Sequence, residues 1–379
     1  MGWSKHHPVG LIHHSPLDSY RGYTLFTAAG SRRATPEGDT LATLIDMDGR
    51  VCHRWRCDEG IRYGHLLTNG NLLVRTRPPL DLDGDEPMGG ASAAILELDW
   101  DGNIVWHYRD SALHHDFQRL PNGNTLVLLW ERIPVDLTAR VRGGSVADDD
   151  PQRMFGDLVR EVAPDGSTVY EWRSWEHLSV DDDVICPLEG RKEWTHANSL
   201  AATRDGDLLL SFRQTSVVAI ADKATGEFRW KWGRGELSHQ HDATYLENGH
   251  VMIFDNGSHR RGPSYSRVVE VDPTSDEIAW EHKGDPQVSF YSHNISSAER
   301  LPNGNTLIDE GQSGRIFEVT RNGDIVWEYV SPFTTGSAEE GLSNAIFKAH
   351  RYGPDHPALA GRDLDPGSVT GVGGLHVGR

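Results

Sequence analysis

The stretch HHDFQRLPNGNTLVL, residues 114–128, returns in nearly the same form as HNISSAERLPNGNTLI at residues 293–308. In each copy a histidine precedes an Asn-Gly turn, and an apolar run follows that turn. Asn-Gly between two such runs is a strong signal for a β-hairpin, because both residues tolerate the positive φ of a tight turn. The stretches HLLTNGNLLVRT, HANSLAATRDGDLLLSF and HDATYLENGHVMIFD have the same plan. The sequence therefore predicts a repeated strand–turn–strand unit headed by a histidine.

A second hairpin follows most of these units, and a tryptophan marks its last strand. The tryptophans stand in VCHRWRC, NIVWHYR, TVYEWRS, EFRWKWG, EIAWEHK and DIVWEYV, as Trp55, Trp106, Trp172, Trp230, Trp280 and Trp327. Each of these strands follows a turn rich in Gly, Asp or Asn and an alternating strand-like run. Two hairpins make a four-stranded antiparallel unit, and a unit of four short strands repeated every roughly 45 to 80 residues is typical of a β-propeller.

The number of blades follows from the two ends of the chain. Five complete units begin at His65, His115, His196, His241 and His293. A sixth begins near His350 and runs out of chain, whereas residues 22–57 hold outer strands that lack an inner partner. We therefore expect an all-β fold, a six-bladed β-propeller whose last blade is closed by strands from both termini. A β-sandwich with coincidental tryptophan spacing is the alternative.

The expected domain organisation is one propeller domain over residues 1–353. Two long, charged loops, residues 131–154 and 174–194, interrupt the repeat. Long loops on a compact repeat fold are more often functional than decorative. Residues 354–379 are expected to form a loosely ordered tail.

Composition limits the classes of partner. The 379 residues carry a formal net charge of −19, so the overall field repels phosphate backbones and anionic lipids. We expect a small-molecule substrate and neither nucleic acid nor membrane as partner; the oligomeric state is not predicted. Three cysteines do not make a disulfide framework, and no run reaches eighteen apolar residues. A cytoplasmic location is the expectation.

The histidines that head the repeats predict a shared site. In a propeller the first strand of each blade lines the central channel, so six imidazoles would meet at one mouth. Crowded imidazoles repel one another when protonated unless an anion or a metal lies among them. The histidines in question are His65, His115, His196, His241, His293 and His350. The pattern leaves open whether the site binds an anion, a divalent transition metal through these six side chains, or both.

An arginine at a strand end favours the anion. Arg213 ends the second strand of the hairpin that His196 begins, so antiparallel pairing brings the two residues together. A guanidinium fork matches the oxygens of sulfate or phosphate. Arg75, Asn256 and Glu310 are expected at the matching place in other units, and Glu131 follows LVLLW where a carboxylate could reach the same mouth.

These blade motifs resemble those of the arylsulfate sulfotransferase family, six-bladed propellers that need no nucleotide donor. HHDFQRLPNGNTLVL, THANSLAATRDGDLLLSFRQ and QHDATYLENGHVMIFDNG carry the resemblance, which extends over nearly the whole chain. It implies that His241 carries the sulfuryl group, with His196, Arg213 and His115 as further catalytic residues. His114 is the alternative to His115. The expected substrate-binding residues are His65, Arg75, Glu131, Asn198, Asn256, His293, Glu310 and His350.

The resemblance implies an enzyme that moves a sulfuryl group between phenolic compounds through a histidine intermediate, with no required cofactor. Two alternatives stay open at this point. One is a metal-dependent lyase or hydrolase that acts on a small aromatic or anionic substrate. The other is a binding propeller without chemistry.

Overall fold

The computed structural model describes residues 8–28, 41–78, 88–145, 153–337 and 341–368. The first strands are β1 (Gly10–His14), β2 (Tyr23–Ala28), β3 (Ala42–Ile45), β4 (Val51–Trp55), β5 (Ile61–Leu66), β6 (Leu72–Thr76), β7 (Ala94–Leu98), β8 (Ile104–Arg109), β9 (Leu113–Arg119), β10 (Thr125–Arg132), β11 (Phe155–Val162) and β12 (Thr168–Arg173). They continue as β13 (Ala197–Ala202), β14 (Leu208–Phe212), β15 (Val217–Ala221), β16 (Phe228–Trp232), β17 (His241–Tyr245), β18 (Val251–Asp255), β19 (Arg267–Val271), β20 (Ile278–Lys283), β21 (Ser297–Arg300), β22 (Thr306–Glu310), β23 (Arg315–Val319), β24 (Ile325–Val330), β25 (Thr335–Ser337), β26 (Gly341–Ser343) and β27 (Ile346–Tyr352). Two single-turn helices interrupt them, α1 (Val135–Thr138) and α2 (Ser174–His177). In this described part of the chain, no helix is both long and apolar enough to span a bilayer.

The described strands form six antiparallel sheets of blade size and one two-stranded ribbon, β25-β26. The sheet orders are β5-β6-β7-β8, β9-β10-β11-β12, β13-β14-β15-β16, β17-β18-β19-β20, β21-β22-β23-β24-β1 and β27-β2-β3-β4. The fold is the predicted six-bladed β-propeller. The last of these sheets takes its inner strand from the C-terminal part of the chain and its other three from the N-terminal part, which confirms the predicted closure.

One strand was not anticipated from the repeat. β1 adds to the outer edge of its sheet by pairing with β24, with Gly10 opposite Val330 and His14 opposite Trp327. The sequence of β1, GLIHH, lacks the alternation and turn that mark the other strands. It therefore carries no signal that a repeat search detects.

The chain divides into two compact units by contact density, and each is described by itself. The first unit contains residues 1–85, 94–108 and 295–379, and the second contains residues 86–93 and 109–294. In the first unit, Leu25, Trp55 and Tyr352 share a buried core with Ala358 and Leu359. Ala358 and Leu359 belong to the segment that was expected to form a loosely ordered tail, and both side chains are buried. Residues 369–379 lie outside the described residues.

In the second unit the two long loops pack against each other. Ile133 and Met154 from the first loop are buried together with Trp175, Ile185 and Trp194 from the second. The loops thus share a small core beyond the sheets. Residues 146–152 of the first loop lie outside the described residues.

The periodic tryptophans connect neighbouring sheets within each unit. Trp172 on β12 donates its indole N–H to the carbonyl of Gly226, in the turn before β16, at 2.8 Å. Trp230 on β16 does the same to the Asp276 carboxylate, in the turn before β20, at 2.7 Å. In the first unit Trp327 donates to the carbonyl of Met47, before β4, at 2.9 Å. Each of these three indoles thus finds its acceptor in the turn before the last strand of the neighbouring sheet.

The Asn-Gly-Asn turns have a second function beyond reversing the chain. Asn124 donates its side-chain amide to Glu161 on β11 at 2.5 Å, and Asn305 donates to Glu318 on β23 at 2.7 Å. Gly123 has φ +88°, which an L side chain rarely adopts. The motif therefore fixes the inner hairpin to the third strand of its own sheet, and this part of the repeat is scaffold.

Candidate active site

His241 opens β17 with its ring tautomer fixed by hydrogen bonds. The amide nitrogen of Asn256 donates to the carbonyl of Ser292 at 2.8 Å, so the amide oxygen of Asn256 faces His241. That oxygen lies 2.8 Å from Nδ1 of His241, which must therefore carry the proton. The lone pair of the neutral imidazole is consequently on Nε2.

The surroundings keep His241 neutral. Burial is the larger cause that lowers its pKa well below the ordinary value, and the positive charge of Arg213 acts in the same direction. The hydrogen bond to Asn256 opposes this shift without reversing it. A neutral, buried imidazole with a fixed tautomer is suited to act as a nucleophile.

His196 lies just before β13 and is paired with a buried carboxylate. Its Nδ1 is 3.0 Å from Oε1 of Glu193, and the other oxygen of Glu193 accepts the indole N–H of Trp130 at 2.9 Å. Burial alone would raise the pKa of Glu193, but the charge and hydrogen bond of His196 outweigh it, so the net pKa lies below the ordinary value. The arrangement resembles the His–carboxylate pair of general acid–base sites.

Both His114 and His115 lie beside this pair. The ring of His115 meets that of His196 edge to face at 4.5 Å between centroids, while His114 stacks on Trp130 at 4.4 Å. The two neighbouring rings are joined through their Nδ1 atoms at 3.0 Å. An added Cβ on Gly90 would come within 2.4 Å of the His115 ring, so only glycine fits against it.

Strand register bears on the choice between the two histidines. His114 pairs with Leu128, the fourth residue of β10. His241 pairs with Phe254, the fourth residue of β18. The next residues, His115 and Asp242, both have positive φ, 43° and 51°. By register, His114 therefore corresponds to His241, although the His-Asp sequence had aligned His115 with it.

Asp157 on β11 lies below these rings and is fully buried. It accepts hydrogen bonds from the hydroxyl of Thr195 and from the backbone N–H of Ala197, and its carboxylate is 3.5 Å from Nε2 of His114. Burial raises its pKa to about 6, although the two hydrogen bonds oppose the shift. Asp157 thus connects the turn before β13 to the histidine pair.

Arg213 supplies positive charge to the same region. Its backbone N–H donates to the carbonyl of His196 at 3.2 Å, as the predicted hairpin pairing requires. Its guanidinium is 2.9 Å from Oε1 of Glu189, on the second long loop. Burial first, and then the charge of Arg213, lower the pKa of His293. The field of Arg213 therefore reaches both His241 and His293.

The remaining predicted residues of the second unit have different positions. Asn198 is buried and donates its side-chain amide to the carbonyl of Gln240 at 2.8 Å, which connects β13 to the residue before His241. Glu131 forms an ion pair with Arg173 at 2.8 Å and does not contact the histidines. Glu193 provides the carboxylate that the prediction had assigned to Glu131, because the second loop, not the end of β10, approaches the site.

The other four predicted residues lie in the first unit. Nε2 of His350 is 3.1 Å from the hydroxyl of Tyr63, and the rings of His65 and His350 are 6.2 Å apart. Arg75 lies over the ring of Phe347 at 4.6 Å, and Glu310 is 3.0 Å from Arg315. His65, His350 and Arg75 thus belong to an aromatic cluster around Tyr63 and Phe347, whereas Glu310 forms a separate ion pair.

The six histidines do not occupy one equivalent position. His241 is the first residue of its strand and His196 precedes its strand, but His65 and His350 are the fifth residues of β5 and β27. His65 stands five residues before its turn glycine, Gly70, whereas His241 stands eight before Gly249. Arg213 and Asn256 each stand five residues after the first paired residue of β14 and β18. Arg75 stands only three residues after the first paired residue of β6, so it does not occupy the matching position. Residues that match in the sequence motifs therefore do not always occupy the same position in their strands.

Comparison with known proteins decides the family. The family model described as arylsulfotransferase (ASST) matches residues 92–332. The chain belongs to the arylsulfotransferase family. All four predicted catalytic residues lie inside the matched region, whereas His65, Arg75 and His350 lie outside it.

The chain is also similar to solved structures. A protein of unknown function from Bacteroides caccae is 13% identical, covers 87% of this chain and 98% of its own, and has a TM-score of 0.55. A streptogramin B lyase is 12% identical, covers 90% of this chain and 97% of its own, and has a TM-score of 0.46. A curated glutamate–tRNA ligase from Bradyrhizobium sp. is 29% identical over 147 residues, 32% of this chain, and the match spans 30% of the ligase.

Proposed function

We propose that this protein transfers a sulfuryl group from an aryl sulfate to a phenolic acceptor, with His241 as the covalent carrier. The observation that carries the proposal is the hydrogen-bond chain from the Ser292 carbonyl through Asn256 to Nδ1 of His241. This chain puts the lone pair on Nε2 and leaves the imidazole ready to attack. Membership of the arylsulfotransferase family supports this reaction class.

In the first half-reaction Nε2 of His241 forms a bond to sulfur as the bond from sulfur to the aryl oxygen breaks. The electron pair of the broken bond goes to the phenolic oxygen, which takes a proton from His196. His241 then carries both the sulfuryl group and the Nδ1 proton, so its ring is positively charged. The hydrogen bond to Asn256 strengthens as that charge develops.

In the second half-reaction an acceptor phenol attacks the sulfur, and the N–S bond breaks. His196, neutral after the first step and paired with Glu193, takes the proton of the acceptor. The two half-reactions thus return every group to its starting state and require no cofactor. The charge of Arg213 stabilises the sulfuryl oxygens in both transition states.

His115 completes the site as a hydrogen-bonding group for the substrate, and the fully buried ring of His114 is joined to it through the two Nδ1 atoms at 3.0 Å. Their rings, packed against His196 and Trp130, form a partly aromatic wall. Such a wall suits a phenol or an aryl sulfate, because aromatic rings pack well edge to face.

The metal-dependent alternative has no specific support in the six histidines that suggested it. Within the described residues, the group of three metal-ligating side chains whose atoms converge within 4.8 Å contains none of the six. The transferase is therefore the function that we propose.

Transfer kinetics test the proposal. With p-nitrophenyl sulfate as donor and phenol as acceptor, we expect double-displacement kinetics, shown by parallel lines in double-reciprocal plots. His241→Ala should abolish transfer. The control is His107→Ala, which changes an exposed histidine of β8 and should leave the rate unchanged. Intersecting lines, or transfer by the His241→Ala protein, would contradict a covalent carrier.

A further inference from the structure

A second cluster of metal-type ligands lies near the candidate active site, in side chains that the sulfuryl chemistry does not use. Cys186, His239 and His259 bring one ligand atom each to within 4.8 Å of one another. Nδ1 of His259 lies 3.0 Å from Nε2 of His239 and 3.5 Å from the sulfur of Cys186.

These separations match the edges of a tetrahedral coordination site. With Zn–N distances of about 2.0–2.1 Å and a Zn–S distance of about 2.3 Å, two nitrogens of a tetrahedron lie about 3.4 Å apart. A nitrogen and a sulfur lie about 3.6 Å apart by the same geometry. The observed N–N distance of 3.0 Å and N–S distance of 3.5 Å differ from these tetrahedral values by no more than a few tenths of an ångström.

Glu189 lies beside two of the three ligands. Its Oε1 is 3.9 Å from Nδ1 of His259 and 3.3 Å from Nδ1 of His239. A carboxylate at that nitrogen favours the tautomer whose lone pair is on Nε2, the arrangement common among metal-binding histidines.

The three ligands come from separate segments, and solvent can reach them. Cys186 lies on the second long loop, His239 between β16 and β17, and His259 between β18 and β19. His239 is buried, Cys186 is half-buried and the side chain of His259 is 32% exposed. An ion at this point would therefore crosslink three connections of the second unit and could enter from one side.

We propose that Cys186, His239 and His259 bind one divalent ion of the zinc class. Thiolate and imidazole together select zinc over magnesium or calcium, which prefer oxygen ligands. Three protein ligands leave a fourth position for water or an anionic group. Glu189 is a positioning residue, because its carboxylate lies beside Nδ1 of His239 and also pairs with Arg213.

Metal analysis and cobalt spectroscopy of the full chain test this site. We expect one zinc per chain by elemental analysis of the purified protein. Co²⁺ added to chelator-treated protein should give the near-ultraviolet absorption of a thiolate-to-cobalt transition. Cys186→Ala should remove that band and weaken Co²⁺ binding at least about 100-fold, whereas Glu189→Gln should weaken it about 10- to 100-fold.

Matched variants keep the test decisive. Cys52→Ala removes a buried cysteine outside the cluster and should leave the cobalt band intact. If Cys186→Ala fails to fold, His259→Gln replaces a partly exposed ligand and should give the same loss. His241→Ala should keep the cobalt band, so failure of the metal site and failure of sulfuryl transfer are distinguishable. Metal-free wild-type protein that gives no cobalt band, or a band that survives Cys186→Ala, would overturn the proposal, and stoichiometric copper or iron in place of zinc would overturn its metal class.

Discussion

Replacing Asn256 by alanine removes the acceptor that holds the Nδ1 proton of His241, at a separation of 2.8 Å in the intact protein. As the sulfuryl group binds Nε2, the ring becomes positively charged, and the lost contact is a hydrogen bond from a charged donor. Such a bond contributes about 1.5–3 kcal/mol, and each 1.36 kcal/mol corresponds to tenfold in rate. We therefore expect kcat/KM for p-nitrophenyl sulfate to fall by about 10- to 150-fold.

The substitution also has a structural cost that must be measured separately. Without Asn256 the carbonyl of Ser292 loses its amide donor at 2.8 Å. A buried polar group without a partner costs about 1–3 kcal/mol. Urea unfolding of the variant gives this loss independently of the assay.

Two further variants separate tautomer control from simple loss of a hydrogen bond. Asn256→Asp keeps an acceptor for Nδ1 of His241, so it should retain more activity than Asn256→Ala. Asn248→Ala, in the turn of the same sheet, removes an amide contact to Glu270 of 3.0 Å and should not change kcat/KM. If Asn256→Ala and Asn248→Ala lower kcat/KM equally, or neither lowers it, the reasoning about the tautomer is refuted.

Three other predictions concern the acid–base pair, pH and the scaffold. Glu193→Gln deprives His196 of its charged partner and should lower kcat about tenfold or more in the same assay, while a rate equal to wild type would contradict the pairing. Because burial raises the pKa of Asp157 to about 6, the folded state holds this proton more tightly than the unfolded chain, and stability should fall by up to about 3 kcal/mol as pH rises from 4 to 7. Asp157→Asn should flatten that part of the pH profile of urea unfolding; an unchanged slope would contradict the raised pKa. Trp172→Phe removes the hydrogen bond to Gly226 and should destabilise the protein by about 1–2 kcal/mol without loss of kcat, as urea unfolding and the transfer assay can show.

The fold could be predicted because its repeated contacts are local or recur at fixed places in the repeat. Asn-Gly specifies a hairpin within a few residues, and three of the outer-strand tryptophans meet the same turn of the neighbouring sheet. Trp172 and Trp230 show this directly, through Gly226 and Asp276. β1 was not predicted because it belongs to no repeat. It pairs with β24 as a fifth strand at the outer edge of a four-stranded sheet.

The site was only partly accessible from sequence for a different reason. The hairpin rule found Arg213 and Asn256 because strand ends follow from the turn position. It missed Glu193 and Glu189, because loop lengths set where these carboxylates lie, and no periodicity governs the loops. Their signal was modest: Glu193 stands three residues before His196 in EWTH.

The sequence pattern also failed to give the correct strand positions of some histidines. The pattern treated six of them as equivalent, but His65 and His350 are the fifth residues of their strands, whereas His241 is the first of its strand. His239 received no role from the sequence because it stands two residues before His241 in HQH. Only the folded chain shows that its ring lies beside Glu189 and His259.

The central claim is that His241 carries the sulfuryl group on Nε2, and mapping of the trapped adduct tests it most directly. Protein mixed with p-nitrophenyl sulfate in the absence of acceptor, and quenched at alkaline pH, should yield a peptide with one added sulfuryl group on His241. Its formation should match the burst of p-nitrophenolate, and phenol should discharge it. A burst without an adduct at His241, or an adduct on another residue that phenol discharges, would contradict the account.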